Sequence, residues 1–225
     1  MMNLKKKMYE KLKGLVFKYT RLMDPKYLYL VEPIQLAFLV NYLENNKNID
    51  GSILEVGVDK GMTTRFLCEH IVKSRSPIKY FVIDTFNSFT EDDINFEVEN
   101  RGKPKSDGDF LNFTYNNFNV WSSKFKEFSF LMPYQSDCSK FDYNKIGKLK
   151  LVFLDVDLYL PTIKALELIY DQLEYGGCIM VDNVSTSYSI YDGAYQAYHE
   201  FCSKYNIPVQ YLGNNAGLIY KKLNK

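Results

Sequence analysis

The stretch Ile53-Leu54-Glu55-Val56-Gly57-Val58-Asp59-Lys60-Gly61 decides the fold. An apolar run from Ser52 stops at Gly57, and helical spacing of apolar residues runs from Gly61 to Lys73. A short apolar run closed by glycine reads as a strand buried on both faces, and the change of period marks a strand-to-helix turn. The glycines have the spacing E-x-G-x-x-x-G. Gly57 permits the tight turn, and Gly61 lets the start of the helix come close to a ligand. The G-x-G-x-x-G fingerprint of dinucleotide binding is absent, so the turn suits a ligand without a pyrophosphate. Glu55 is suited to face a cationic group on that ligand.

Outward from this turn the same alternation repeats. Apolar runs at Lys79 to Asp84, Phe128 to Met132, Leu149 to Val156 and Cys178 to Asp182 read as further strands. Helical spacing covers Asn112 to Trp121, Ile190 to Tyr205, and the stretch from Pro161 to Leu173, with Gly176-Gly177 read as the stop of the latter. Val209 to Leu212 and Leu218 to Lys221 read as two short strands around a Gly213–Gly217 turn. The expected class is therefore α/β: a Rossmann-like, doubly wound, mostly parallel seven-stranded sheet with an antiparallel closing strand and an N-terminal helical extension. Residues 1–50 read as that extension or cap and 51–225 as the catalytic domain. The polar segment of about 86–110 is long for a loop in such a domain and reads as a lid-like insertion.

In open sheets of this kind ligands bind beyond the carboxyl ends of the strands, and the polar residues collect there. Asp84 ends the second strand 27 residues after Gly57, where a carboxylate accepts both hydroxyls of a ribose; Thr85 follows it. Ser136-Asp137 follows the third strand, with Asp137 placed to accept an adenine amino group. The fourth strand ends in Asp155-Val156-Asp157-Leu158-Tyr159 and the fifth in Asp182-Asn183. Neighbouring tips would gather Asp155, Asp182 and Asn183 into a cluster of hard oxygen donors, which suits magnesium. Such an ion would relieve the repulsion between the carboxylates, hold an acceptor hydroxyl and lower its pKa.

Several of these motifs together resemble a known family. Glu55, Gly57, Gly61 and Asp84 look like the motifs of class I S-adenosylmethionine-dependent methyltransferases. Asp84-Thr85-Phe86-Asn87-Ser88-Phe89 is similar to the D-S-F-x-x-F of the macrocin O-methyltransferase group, and Asp155-Val156-Asp157-Leu158-Tyr159 to its D-x-D-L-Y. The resemblance spans roughly residues 50–205. That group methylates sugar hydroxyls on macrolides. Asp182-Asn183-Val184 is closer to catechol-type O-methyltransferases, whose magnesium is held by two Asp and an Asn. Those enzymes use a lysine as base where this chain has Leu158, so the lysine mechanism does not transfer. Asp157 is the nearest titratable replacement and His199 a second one. The resemblance implies S-adenosylmethionine and Mg2+ as cofactors, Asp155 near both, and Asp155, Asp157 and His199 as catalytic candidates.

Composition sets the remaining bounds. The 225 residues carry 28 Lys and Arg against 27 Asp and Glu, a net +1, which gives no global attraction for nucleic acid. Cys68, Cys138, Cys178 and Cys202 are far apart and show no metal or disulfide spacing, which fits reduced thiols in a cytoplasmic protein. No apolar run spans a bilayer. The basic N-terminus reads as an amphipathic helix packed on the domain or on a second subunit of a homo-oligomer, in preference to a membrane-surface helix. The expected partner is a small-molecule or glycan acceptor. A sugar or natural-product O-methyltransferase is thus the leading reading. A phenolic or catechol-like O-methyltransferase, a NAD- or nucleoside-binding protein without methyl transfer, and a scaffold that has lost catalysis stand as alternatives.

Overall fold

The computed structural model describes residues 4–104, 110, 113–185 and 191–222. The helix starts expected at Asn112 and Ile190, and residues 105–109 of the long polar segment, lie outside the described residues. The chain divides into two compact units, residues 1–30 and 31–225, so residues 31–50, read above as part of the extension, belong to the second unit. The first unit contains helix α1 (Leu4–Tyr19).

The second unit is built on one seven-stranded sheet: β1 (Ser52–Val56), β2 (Tyr80–Asp84), β3 (Leu131–Gln135), β4 (Leu149–Leu154), β5 (Leu173–Val181), β6 (Tyr211–Leu212) and β7 (Ala216–Tyr220). Their spatial order is β3-β2-β1-β4-β5-β7-β6. Strands β1 to β5 pair in parallel, and β7 enters antiparallel between β5 and β6. Chain order reverses between β1 and β4, and that is the switch point at which ligands bind in doubly wound sheets. This is the Rossmann-like architecture expected from the sequence.

Apolar content explains the depth of each strand. β4 is buried along its whole length and β1 from Ile53 onward. Leu54, Val152, Ile179 and Ile219 lie in one core cluster with Leu166, Ile169, Tyr198 and Phe201 from the helices. The helices α2 (Pro33–Asn45), α3 (Met62–Ser74), α4 (Glu91–Glu99), α5 (Phe118–Ser123), α6 (Tyr159–Gln172) and α7 (Gly193–Lys204) flank the sheet. α2 packs on α3, while α4 and α7 pack on α6. All four cysteines are buried and free, as the spacing implied.

Three local readings change. The polar segment after Asp84 contains α4, started by a capping box in which Thr90 and Asp93 bond each other's backbone N–H groups. β3 begins at Leu131 and runs through Pro133, because β3 is an edge strand and an edge tolerates the missing N–H. Gly176-Gly177 does not stop a helix: α6 ends at Gln172, and the glycines lie inside β5 where its register against β4 shifts.

Candidate active site

The tips of β1, β2, β4 and β5 stand side by side, and ladder bonds continue past their ends. Gly57 N–H donates to Ile83, Asp155 N–H to Val56 and Asp182 N–H to Leu154, at 2.8–3.0 Å. Gly57 has φ +80°, and a Cβ there would lie 1.8 Å from the Asp155 carbonyl oxygen. The β1 turn and the β4 tip thus touch, and only glycine allows it. Gly61 is the N-cap of α3, also left-handed, and the Phe125 ring fills the space its Cβ would need. The close approach at Gly61 is therefore made by a protein side chain.

Glu55 is buried beneath this turn, 1% exposed. Its Oε2 accepts from Thr64 Oγ1 at 2.7 Å and from the Tyr80 hydroxyl. Burial pushes its pKa up to about 7, against the pull of the two hydroxyls. Asp84 sits at the β2 tip and accepts from the backbone N–H groups of Val58, at 2.8 Å, and Phe86. Burial raises its pKa, and those two N–H donors work in the opposite direction. Asp84 therefore fixes the β1–α3 turn from the neighbouring strand.

The other residues expected around the cofactor are engaged locally. Thr85 Oγ1 donates to the Ser88 carbonyl at 2.6 Å. Ser136 N–H donates to the Asp84 carbonyl at 2.9 Å, extending the β2–β3 ladder. Asp137 accepts from Ser139 N–H and Oγ and pairs with Lys140 at 3.1 Å. Burial works to raise the Asp137 pKa, but Ser139 and Lys140 outweigh it and hold it below the ordinary value.

The tips of β4 and β5 do converge. Asp155 and Asp182 lie close enough that each carboxyl feels the charge of the other. Asp155 is pushed well above the usual carboxylate range by burial, then by the charges of Asp182 and Asp157. Asp157 rises to about 7 through burial and the charge of Asp182, opposed by Asn183. Asp182 rises to about 6 through burial, opposed by Gln35 and the Asn183 N–H. Asp157 and Asn183 bond each other through the Asn183 amide, and both have positive φ, +60° and +57°. Two non-glycine left-handed residues facing each other across neighbouring tips are a form of strain that concentrates at functional sites.

Hard oxygen donors carrying mutual repulsion fit a divalent cation in donor chemistry. Their bonds in the structure come from the amides of Gln35, Asn183 and Asn215. Among the described residues no group of three or more His, Cys, Asp and Glu side chains is arranged to hold a metal ion.

His199 is not part of this cluster. Its Nε2 lies 2.9 Å from the Tyr211 hydroxyl, and its ring packs on Tyr195, against the outer strand β6. Two residues that sequence reading passed over are part of it. Gln35, on the first turn of α2 and fully buried, donates from Nε2 to Asp182. Asn215, in the β6–β7 turn, donates to Asn183 Oδ1 at 2.9 Å and to Asp182 Oδ1 at 3.3 Å. The E-x-x-Q pattern of Glu32 and Gln35 signals the capping box that the structure contains, but nothing local signals its contact with Asp182. Beside the cofactor turn, Tyr115 donates to Asp59 Oδ1 and Asn116 to the Asp59 carbonyl, so the segment before α5 lies over the turn.

The sequence profile of the macrocin-O-methyltransferase (TylF) family matches residues 35–216. The chain belongs to that family. It is a class I S-adenosylmethionine-dependent O-methyltransferase, and the tips of β1, β2, β4 and β5 lie inside the TylF match. No curated protein matches the chain in sequence. Among solved structures, the O-methyltransferase NovP superposes with a TM-score of 0.69 at 15% identity, covering 88% of this chain and 84% of NovP. The calicheamicin methyltransferase CalS11 superposes with 0.67 at 15% identity, covering 98% and 94%. The Podospora anserina methyltransferase PaMTH1, bound to S-adenosylhomocysteine, gives 0.57 at 12% identity, covering 99% and 98%. At these identities the likenesses establish the fold that the TylF profile implies.

Proposed function

We propose that the chain methylates a hydroxyl of a sugar, glycan or glycosylated natural product with magnesium assistance. The observation that carries this reading is the set of acidic and amide side chains where β4 and β5 end, directly beside the Gly57 turn. Carboxylates and amides bond the several hydroxyls of a sugar. CalS11, similar in fold, is a TDP-rhamnose 3'-O-methyltransferase.

In this reading the Gly57–Gly61 turn holds the methionine part of S-adenosylmethionine, with Glu55 toward its ammonium. Asp84 takes the ribose diol, and Thr85, Ser136 and Asp137 border the adenine. Asp137 keeps its Ser139 and Lys140 partners, so its share in adenine binding is the smallest of these. Asp155 lies between the cofactor and the acceptor. Asp155, Asp182 and Asn183 would hold magnesium, which supplies a lowered pKa at the acceptor hydroxyl. Asp157, bonded to Asn183 beside those side chains, accepts the hydroxyl proton. The hydroxyl oxygen forms a bond to the methyl carbon as the carbon–sulfur bond breaks. Its electron pair goes to sulfur and S-adenosylhomocysteine leaves. Orienting the two reactants in line supplies most of the rate.

The test is methyl transfer to a panel of nucleotide-linked sugars and glycosides, with and without chelator, in wild type and Asp182→Ala. Loss of turnover in chelator and in the variant, with S-adenosylhomocysteine still bound, supports the reading. Full activity in chelator removes the metal from it, and a catechol as the only acceptor removes the sugar.

A further inference from the structure

Helix α1 presents a face that the catalytic reading does not use. Met8, Leu12, Leu15 and Tyr19 recur at helical spacing and therefore lie on one side, 48–78% exposed. Tyr9 extends the same face. Around it stand Lys5, Lys6, Lys7, Lys11, Lys13 and Lys18 against the single acid Glu10, with no acidic residue in the first turn. Residues 1–30 carry eight basic and two acidic side chains, a net +6; the whole chain is +1, so residues 31–225 carry −5. The basic excess is thus concentrated in the unit whose helix α1 carries a continuous apolar face.

We infer that α1 docks on an anionic phospholipid surface. An interfacial helix needs an apolar face to enter the acyl boundary, lysines whose long stems reach back to headgroups, and little acidic charge. α1 has all three, and its tyrosines suit the headgroup level. Pairing two copies of α1 through this face would bring two sets of six lysines together. The net negative charge of residues 31–225 is repelled by the same lipids, so attachment is confined to the helix. No helix among the described residues is long and apolar enough to cross a membrane, and the attachment is peripheral. The sequence reading prefers a packed helix; the basic charge gathered beside the apolar face is the reason for the other choice.

The experiment is co-sedimentation of the full chain with vesicles of phosphatidylcholine alone and with added phosphatidylglycerol, at low and high salt. The chain is expected to bind the anionic vesicles, to bind the neutral ones far more weakly, and to be released by salt. Each lysine replaced should weaken binding about fivefold, so Lys6→Gln, Lys7→Gln and Lys13→Gln combined should lose on the order of a hundredfold. Leu12→Glu with Leu15→Glu should abolish binding. Retained S-adenosylhomocysteine binding shows that each variant is folded. Absence of wild-type binding to the anionic vesicles overturns the inference, as does binding that survives Leu12→Glu with Leu15→Glu. A dimer in sedimentation that these two substitutions dissociate, without vesicle binding, assigns the face to a second copy and also overturns it.

Discussion

Replacing Glu55 by glutamine isolates the cost of placing a carboxylate beneath the cofactor turn. Glu55 is 1% exposed, and burial raises its pKa from 4.5 to about 7 despite the Thr64 and Tyr80 hydroxyls. At about 1.4 kcal/mol per tenfold change in proton affinity, that rise is worth about 3 kcal/mol. The folded chain binds the proton more tightly than the unfolded one. The stabilisation is therefore fully present below pH 4.5 and is lost as the pH climbs through about 7. Glutamine keeps an acceptor for the two hydroxyls and takes up no proton. Urea unfolding from pH 4.5 to pH 8 should show Glu55→Gln gaining about 3 kcal/mol on wild type across that window. The other acidic residues at the strand tips are common to both proteins, so their pH dependence cancels in the difference except at Asp155 and Asp84, which are coupled to the Glu55 charge. Parallel stability curves would refute the reasoning. If Glu55 also faces the cofactor ammonium, wild-type affinity for S-adenosylhomocysteine rises over the same range and that of Glu55→Gln does not.

Asp84→Ala should weaken S-adenosylhomocysteine binding by about 1–3 kcal/mol in calorimetry, the loss expected for hydrogen bonds to a charged group. Gly57→Ala should destabilise the chain by more than about 3 kcal/mol in urea, since its Cβ overlaps the Asp155 carbonyl and its φ is +80°. Arg101→Ala removes the ion-pair partner of fully buried Glu97, leaving it the Tyr159 N–H, while Asp192 keeps Lys103; it should cost about 3 kcal/mol of stability, measured in the same way.

The alternation of apolar runs and helical spacing was enough to read the sheet, its order of elements and the glycine turn. β1, β2 and β4 are buried along nearly their whole length and so write near-continuous apolar runs. The acidic tips were legible because carboxylates rarely follow such runs without cause. Features set by long-range contact were not legible. Gln35 meets Asp182 across 147 residues of chain, and Asn215 reaches the same carboxylate from a turn whose glycines only signalled a reversal. His199 looked available because a helical period does not say what lies opposite, and Tyr211 does. β3 runs later than the apolar run Phe128 to Met132 suggests, because an edge strand admits Pro133. α4 is not legible because nine residues leave little period to detect.

The most direct test of the account is a co-crystal structure with S-adenosylhomocysteine and magnesium. The account predicts the ligand against the Gly57–Gly61 turn, its ribose hydroxyls on Asp84, and its sulfur facing Asp155, Asp157 and Asp182. A ligand bound elsewhere, or a sulfur turned away from those three carboxyls, would contradict it.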